Sequence, residues 1–477
     1  MENKIFIYNS LSRKKEELTP LKPKEIKMYV CGPTVYDEAH IGHARSAYIF
    51  DVIRRYLMYK GFKVKFVRNV TDVDDKIIDK AQKEFKGEDL NIAVKNVSTK
   101  YLDLYHEDMK SLGILDPDVE PKATEYVDKD NPLMQKFIEQ LIKNDCAYVS
   151  EGDVYFDIRK AKNYGKLSHQ AIEKMEIGTR IALGEKKKDP LDFALWKSAK
   201  AGEPAWDSPW GKGRPGWHVE CSVMSSDILG DEFDIHGGGI DLIFPHHENE
   251  IAQSEGAGKK FARYWIHHGL LTINGQKMSK SLGNFITVKD FLEKYKNADL
   301  LKLLFLSTHY SHPVDYTDEK IQEAKQALDR ISILWGKIGG PLDKKFTGKI
   351  PDELEAVRNK FISAMDDDFN TPQGLAAIFE LVSITNKNLD NQEFVSASRD
   401  ILSKLTSLFG LGVSVDVKVE TLSLRADLPG VEVLIKEREA ARKNKDFRKS
   451  DEIRKELEDK GIILEDTKDG TTWRRKL

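Results

Sequence analysis

The sequence predicts an α/β protein: a Rossmann-like parallel-sheet domain with an insertion, followed by an α-helical bundle and a small C-terminal domain. Three observations support this prediction. The first 70 residues follow a strand, helix, strand pattern, a similar pattern resumes near Asp234, and helical spacing dominates beyond Tyr316. The length of 477 residues suits about three domains.

The first unit of the predicted sheet is defined by its hydrophobic spacing. Residues 26–30 alternate apolar and polar side chains and stop at a Gly-Pro pair, which predicts a strand. Residues 42–60 have apolar residues at helical spacing, with Gly61 at the position of a C-terminal cap, and residues 63–70 alternate again. Such a unit builds a parallel sheet, and ligands bind outside the carboxyl ends of its strands.

The middle of the chain predicts an insertion and then a return to the sheet. Residues 116–205 are less periodic and contain a probable turn at residues 151–153, so we interpret them as an insertion. A strand is predicted around Phe233 and Ile235, leading into a turn at residues 236–239, and a helix follows from about Glu248.

The C-terminal third predicts a bundle and a separate end. Ile321, Ala324 and Leu328 share one helical face. Helical spacing recurs further along the chain at Leu375, Ile378 and Leu381. Residues 413–428 lack a strong period and are predicted to form a linker. The predicted divisions are 1–115 and 206–315 for the two halves of the sheet domain, 116–205 for the insertion, 316–412 for the bundle and 425–477 for the C-terminal domain.

Composition limits the classes of protein. The 75 basic and 78 acidic residues give a net charge of −3, so no global positive field indicates a polyanionic partner, and any such site must be local. Three cysteines cannot form a disulfide framework, which fits a reducing compartment. The charged N-terminus and the lack of a long apolar run predict a cytoplasmic protein with no signal peptide and no membrane partner.

The string His40-Ile41-Gly42-His43 lies between a predicted strand end and a predicted helix start. Free backbone N–H groups and the helix dipole at such a place favour an anion such as phosphate, and the two imidazoles would add donors. The alternative is a pair of exposed histidines in a loop.

A second string, residues 277–281, follows the Asn274-Gly275 turn signal and contains Lys277 and Lys280. Two ammonium groups on a mobile loop are able to reach a triphosphate. The alternative is a solvated basic loop. Together the two strings are more specific than either alone, because one supplies donors at a helix start and the other supplies mobile cations.

These two strings resemble the signatures of class I aminoacyl-tRNA synthetases. Five further stretches resemble the cysteinyl-tRNA synthetase family in particular: residues 28–37, 213–222, 244–250, 364–372 and 465–467. The resemblance covers essentially the whole chain. One small departure is Ser311, where the family pattern has Arg, and it affects no catalytic expectation.

A metal site is only weakly indicated by the residues themselves. His246 and Glu250 are four residues apart, which puts both side chains on one face of a helix, whereas the 190 residues between Cys31 and Cys221 predict nothing. The resemblance implies one Zn²⁺ held by Cys31, Cys221, His246 and Glu250. A zinc-thiolate bond separates cysteine from serine, so no editing domain is expected. Cys146 is expected to be a core residue.

The resemblance also implies the remaining site. Thr71, Trp217 and His236 are expected around bound cysteine, although a turn residue, a core indole and a loop imidazole are the alternatives. ATP, accompanied by Mg²⁺, is expected to contact Gly42, Gly239, Asp241 and Lys280, with a flexible glycine turn as the alternative for residues 236–239. The expected catalytic residues are His40, His43, Lys277 and Lys280.

The second substrate accounts for the charged C-terminal end. Residues 438–449 contain six basic and two acidic residues, a local charge of +4, and Trp473 could stack on an unpaired base. The resemblance implies ATP-dependent ligation of cysteine to its tRNA through a cysteinyl-adenylate, recognition of the anticodon by residues 425–477, and a monomer. Two alternatives are a ligase that transfers cysteine to a small amine and a non-catalytic RNA-binding protein.

Overall fold

The computed structural model describes residues 4–170, 186–339 and 346–412, and in the C-terminal region residues 434, 437, 438, 441, 442, 446–459, 462–467 and 470–475. The contacts divide the chain into two units, Met1–Gly412 and Val413–Leu477. The predicted linker at 413–428 lies outside the described residues, as do Glu439, Lys443 and Lys445 of the predicted basic segment.

The N-terminal region contains the predicted strand, helix, strand unit, preceded by a hairpin that the sequence did not indicate. Strands β3 and β4 are parallel, with Met28 opposite Phe66, and Gly61 follows α1 with a φ of 87°. The elements are β1 (Phe6–Asn9), β2 (Lys14–Glu17), β3 (Glu25–Val30), α1 (Ile41–Tyr59) and β4 (Lys63–Arg68).

Two helices follow and pack on each other, α2 (Asp75–Glu84) and α3 (Leu90–Ser111). The inserted segment then forms a small antiparallel sheet in the order β5, β6, β7, β8. This sheet extends past residue 205, where the sequence predicts that the insertion ends, because its last strand occupies residues 213–215. The elements are α4 (Leu133–Lys143), β5 (Ala147–Ser150), β6 (Asp153–Phe156), β7 (Phe193–Ser198) and β8 (Gly213–Pro215).

The main sheet is completed by two later strands and has the order β10, β9, β3, β4, with all neighbours parallel. The sequence predicts a turn at residues 236–239, and this prediction is wrong, since these residues continue β9. A Cβ at Gly237 would lie 2.2 Å from the Phe50 ring of α1, so glycine lets the helix pack directly on the strand. The elements are α5 (Trp217–Leu229), β9 (Phe233–Gly239), α6 (Glu248–Gly256) and β10 (Ala262–His268).

A smaller sheet, ordered β12, β11, β13, lies beyond the main sheet. Its hairpin turns at Asn274 and Gly275, with φ values of 49° and 74°, as the Asn-Gly signal predicts. The lysine-containing string follows this hairpin directly. The elements are β11 (Leu271–Ile273), β12 (Gln276–Lys277), α7 (Val288–Tyr295), α8 (Ala298–Leu306) and β13 (Val314–Tyr316).

The predicted helical region follows, and its predicted apolar face at Ile321, Ala324 and Leu328 is buried. The helices are α9 (Asp318–Lys337), α10 (Asp352–Asp366), α11 (Thr371–Lys387) and α12 (Gln392–Leu408). The second unit contains α13 (Phe447–Asp459) and an antiparallel hairpin of β14 (Ile462–Thr467) and β15 (Gly470–Arg475). None of the described helices is long and apolar enough to cross a membrane.

Candidate active site and metal cluster

His40 and His43 form a stacked pair at the start of α1. His40 is the N-cap, and its Nδ1 accepts the backbone N–H groups of Gly42 at 3.1 Å and His43 at 3.2 Å. The Nδ1 of His43 accepts the backbone N–H of His40 at 3.3 Å. Because both Nδ1 atoms accept, each neutral ring carries its proton on Nε2, which makes each Nε2 a hydrogen-bond donor.

The backbone at this helix start differs from the sequence prediction. The sequence predicts free N–H groups here, but the first four all have acceptors: Ile41 donates to the carbonyl of Ile286, and residues 42–44 donate to His40. An anion at this position therefore meets the imidazole Nε2–H donors rather than free backbone amides.

Burial keeps both imidazoles neutral. Burial, with a smaller contribution from the neighbouring Lys280 ammonium, lowers the pKa of His40 to about 4, and burial lowers that of His43 to about 3. At neutral pH the pair thus presents two neutral donors of fixed tautomer. An exposed loop pair, the alternative left by the sequence, does not describe these side chains.

A cavity of about 470 Å³ opens beside this pair, at the carboxyl ends of β3 and β9. This is where ligands bind in parallel α/β sheets, and the volume suits a small-molecule site. Eight of the residues named from the sequence line it: Cys31, His40, Gly42, His43, Trp217, Gly239, Asp241 and Lys277.

The lysine-containing loop lies against the histidine pair. The segment that follows this loop is attached to the residues around His40 by backbone hydrogen bonds. One of these runs from the N–H of Val288 to the carbonyl of Ala39 at 2.9 Å. The ammonium of Lys280 forms an ion pair with Asp37 and lies 4.9 Å from the ring centroid of Phe285. Lys277 lines the cavity, and Lys280 is held beside it by Asp37.

A cluster of metal-ligand side chains adjoins the cavity through Cys31. The Sγ atoms of Cys31 and Cys221 are 3.7 Å apart, Cys31 Sγ lies 3.7 Å from Glu250 Oε1, and His246 Nε2 lies 3.2 Å from that same oxygen. The four donor atoms all lie within 4.8 Å of one another. Cys221, His246 and Glu250 are buried, whereas Cys31 is partly exposed towards the cavity.

This donor set fits a tetrahedral metal ion. Bonds of about 2.3 Å to sulfur and about 2.1 Å to nitrogen or oxygen place tetrahedral donors roughly 3.4–3.8 Å apart, close to the distances seen. Burial raises the pKa of both thiols, and Glu250 raises them further, so the thiols are protonated unless a cation is present. The geometry and the donor types of this site therefore suit a metal ion, which would replace the thiol protons on binding.

A second set of donors overlaps the first. Cys31, His236, His247 and Glu250 also converge, with His247 Nε2 3.3 Å from Cys31 Sγ and His236 Nε2 2.8 Å from Glu250 Oε2. The sequence did not indicate His247 as a ligand, although it directly follows His246. The first set contains two thiols and the second only one, so the first suits a thiophilic metal better.

His218 and Trp217 hold the ring of His246 in place. His246 Nδ1 lies 2.9 Å from His218 Nδ1, and the Trp217 ring stacks on His246 with centroids 4.1 Å apart. Such contacts fix the ring of a metal-ligating histidine and leave its Nε2 directed at the cluster. Sequence reasoning missed His218, although it lies inside a stretch that resembles the family.

Of the three residues expected around a bound amino acid, one lines the cavity and two are buried. Trp217 is 40% exposed and lines the cavity, which excludes the core-indole alternative. Thr71 and His236 are fully buried behind the cavity wall: the Thr71 hydroxyl donates to Glu220 at 2.5 Å, and His236 bonds to Glu250. Cys146, expected in the core, is only partly buried at the core's edge.

The glycine-rich strand end also belongs to the cavity. A Cβ at Gly239 would lie 2.4 Å from Asp241 Oδ1, so a larger residue there would displace that carboxylate. The opposite rim depends on Arg45, which the sequence analysis did not single out. Its buried guanidinium donates to the carbonyls of Gly269, Leu270, Tyr310 and His312, and so ties the cavity residues 269–270 to a segment outside the cavity lining.

Solved structures share this fold at low sequence identity. Methionyl-tRNA synthetase from Mycobacterium tuberculosis, in complex with methionyl-adenylate, matches with a TM-score of 0.58 and 16% identity, covering 82% of this chain and 91% of that chain. The LeuRS-tRNA-LeuAMS ternary complex from Agrobacterium radiobacter matches with a TM-score of 0.59 and 12% identity, covering 83% and 85%. The chain therefore shares the fold of these two aminoacyl-tRNA synthetases.

Sequence comparisons narrow this class to one family. Residues 17–326 match the family described as tRNA synthetases class I (C) catalytic domain, residues 360–414 the DALR domain, and residues 427–474 the cysteinyl-tRNA ligase anticodon binding domain. Cysteine–tRNA ligases from Anoxybacillus flavithermus and Geobacter sulfurreducens are each 48% identical, and the matches cover 98–99% of this chain and 99% of each relative. The chain belongs to the cysteine–tRNA ligase family, whose reaction is the ATP-dependent charging of tRNA with cysteine.

Proposed function

We propose that this enzyme joins the carboxylate of cysteine to the α-phosphate of ATP, forming cysteinyl-adenylate and pyrophosphate. It then transfers the cysteinyl group to a hydroxyl of the terminal ribose of its tRNA and releases AMP. The observation that carries this proposal is the shared cavity. Cys31 belongs both to the metal cluster and to the cavity lined by His40, His43 and Lys277. A site for a thiol and a site for phosphates therefore adjoin.

Selection of the amino acid is assigned to the cluster of Cys31, Cys221, His246 and Glu250. When bound there, Zn²⁺ would accept the substrate thiol as a thiolate, a bond that the hydroxyl of serine does not match. We place Trp217 in contact with the bound amino acid. Thr71 and His236 act from behind the wall, through their hydrogen bonds to Glu220 and Glu250.

Phosphate chemistry is assigned to the histidine pair and the lysine loop. The substrate carboxylate is already a nucleophile, so positioning and charge stabilisation carry the first step and no protein base is needed. The Nε2–H groups of His40 and His43 donate to phosphate oxygens, and Lys277 and Lys280 neutralise the developing charge. Gly42, Gly239 and Asp241 hold the nucleotide, whose phosphate oxygens would carry Mg²⁺ and its charge neutralisation.

Recognition of the tRNA is assigned to the C-terminal region, residues 425–477. This region matches the cysteinyl-tRNA ligase anticodon binding domain and carries the basic segment identified in the sequence. We propose that it contacts the anticodon and that Trp473, in β15, stacks on an unpaired base. The monomeric state stays a prediction, which sedimentation of the purified protein would check.

Amino-acid-dependent exchange of pyrophosphate into ATP tests the first step. Exchange is expected with cysteine and not with serine, in protein that contains about one zinc per chain. The matched variants are Cys221→Ser, which removes a cluster thiol, and Cys146→Ser, which removes a thiol outside the cluster. Cys221→Ser should lose zinc and exchange, while Cys146→Ser should keep both. Folded, zinc-loaded wild-type protein that shows no exchange would contradict the adenylate mechanism.

A further inference from the structure

Three consecutive aspartates, Asp366, Asp367 and Asp368, belong to a stretch that resembles the family but has no part in the chemistry proposed above. Asp366 ends α10, and the turn that follows leads into α11. Each carboxylate reaches a different element of the nucleotide-binding part of the chain. Two of the carboxylates are buried and one is exposed.

Asp366 connects the bundle to the C-terminal end of α1. Its Oδ1 accepts the hydroxyl of Tyr56 at 2.7 Å, and its side chain pairs with Lys60 at 3.0 Å. The side chain of Asp366 is 9% exposed, so both interactions are shielded from water. The bundle contacts α1 at a second place, where Tyr48 donates to the carbonyl of Phe409 at 2.6 Å.

Asp368 connects the same turn to two other segments. Its Oδ1 accepts the backbone N–H of Tyr8 in β1 at 2.8 Å and the hydroxyl of Tyr310 at 2.7 Å. His309 Nε2 lies 2.9 Å from the Asp368 carbonyl. The carboxylate is 8% exposed, so these donors replace water that it has lost.

The backbone at this turn is strained in a way that the hydrogen bonds support. Asp368 and Phe369 have φ values of 63° and 51°, the left-handed region, which costs roughly 1–2 kcal/mol for a residue with a side chain. Such conformations persist where surrounding contacts enforce them. Here the strain lets successive carboxylates point to α1 and to β1.

Asp367 differs from its neighbours in one respect. Its carboxylate pairs with Lys15 at 2.6 Å, but the two side chains are 58% and 45% exposed. Exposed ion pairs contribute little, about 0–1 kcal/mol. Asp367 therefore offers a matched control within the same three residues.

We propose that Asp366 and Asp368 are positioning residues that fix the bundle on α1 and β1, so that tRNA held by the C-terminal part of the chain presents its terminal ribose at the cavity. This inference rests on the proposed two-step function. Helix α1 has 19 residues and is about 28 Å long, with His40 and His43 at one end and the Asp366 contact at the other. A small tilt at this junction therefore becomes a large displacement of the tRNA end relative to the cavity.

The experiment compares the two half-reactions in Asp366→Asn, Asp368→Asn and the control Asp367→Asn. Activation, measured by cysteine-dependent pyrophosphate exchange, should stay within about threefold of wild type, because neither carboxylate lines the cavity, nor do the side chains that donate to them. Charging, measured as kcat/KM for tRNA, should fall at least about tenfold in the first two variants, since small misplacements remote from the chemistry have effects of this size. Asp367→Asn should change neither reaction.

Two nearly isosteric variants test the same contacts with less risk to folding. Tyr56→Phe and Tyr310→Phe remove the hydroxyls that donate to Asp366 and Asp368 but keep the rings, and they should show the same split between the two reactions. An equal loss of exchange and charging in folded variants, or no loss of charging, would overturn the proposal. Absence of exchange in the wild-type enzyme would instead contradict the adenylate mechanism, so the two failures are distinguishable.

Discussion

The rings of His40 and His43 stack with their centroids 3.7 Å apart and their planes inclined by 16°. In both rings the Nδ1 atom accepts backbone N–H groups, so both carry their proton on Nε2. The backbone N–H groups that a phosphate would otherwise meet are used to hold these rings. At this helix start the donors for a phosphate are therefore the Nε2–H groups of His40 and His43. The backbone fixes their tautomers through its hydrogen bonds to both Nδ1 atoms.

Replacement of one ring isolates its catalytic contribution. In His40→Asn the side-chain oxygen can still cap α1, because asparagine is a favourable N-cap residue, but the Nε2–H donor is lost. We expect the rate of cysteine-dependent exchange to fall about 10²–10³-fold, as for other single donors to a developing charge. Zinc content and the melting temperature should stay near wild-type values. A variant with nearly full exchange would remove His40 from the catalytic group.

The buried histidines make stability depend on pH. Unfolding restores an ordinary pKa near 6.5, whereas the pKa of His43 in the folded protein is about 3. The unfolded state therefore binds more protons at acid pH, so the free energy of unfolding falls as the pH falls below about 6.5. Urea unfolding should show that His43→Gln loses roughly 1 kcal/mol less than wild type between pH 7.5 and 5.5. Equal losses would contradict the assigned protonation.

The two overlapping donor sets predict that different substitutions abolish metal binding. If Cys31, Cys221, His246 and Glu250 hold the ion, His246→Ala should lose most of its zinc, while His247→Ala, a change at the next residue, should retain it. We expect this result because the first set alone has two thiols. Metal analysis of the purified variants checks it. Retention in His246→Ala with loss in His247→Ala would transfer the site to the second set.

We expect the ion pair between Lys280 and Asp37 to compete with ATP for the lysine. The ammonium is 58% exposed and the carboxylate 20%, so the pair is weak and a triphosphate can displace it. Asp37→Asn removes the competitor, and we expect the KM for ATP to fall by about two- to fivefold. Asp290→Asn, in α7 at the end of the same loop, serves as the control. An increase in KM would show that Asp37 instead prepares Lys280 for the nucleotide.

Continuous patterns were readable from the sequence. The alternation at residues 26–30, the helical spacing at 42–60 and the face of Ile321, Ala324 and Leu328 each predict an element that the structure contains. These signals depend only on which side chains are near in the chain. The two short strings at 40–43 and 277–281 were recognisable for the same reason, since each is contiguous.

Spatial relationships were decided by the tertiary structure. Cys31 and Cys221 meet because β3 ends beside α5, and no spacing in the sequence encodes that meeting. Residues 236–239 appeared to be a turn because glycine carries no side chain to report burial, and only the packing of Phe50 reveals them as strand. The sequence by itself determined most of the elements in the first 70 residues and the bundle, and which donor types are present. The parallel sheet decided which distant donors meet, because it brings strand ends together regardless of their separation in the chain.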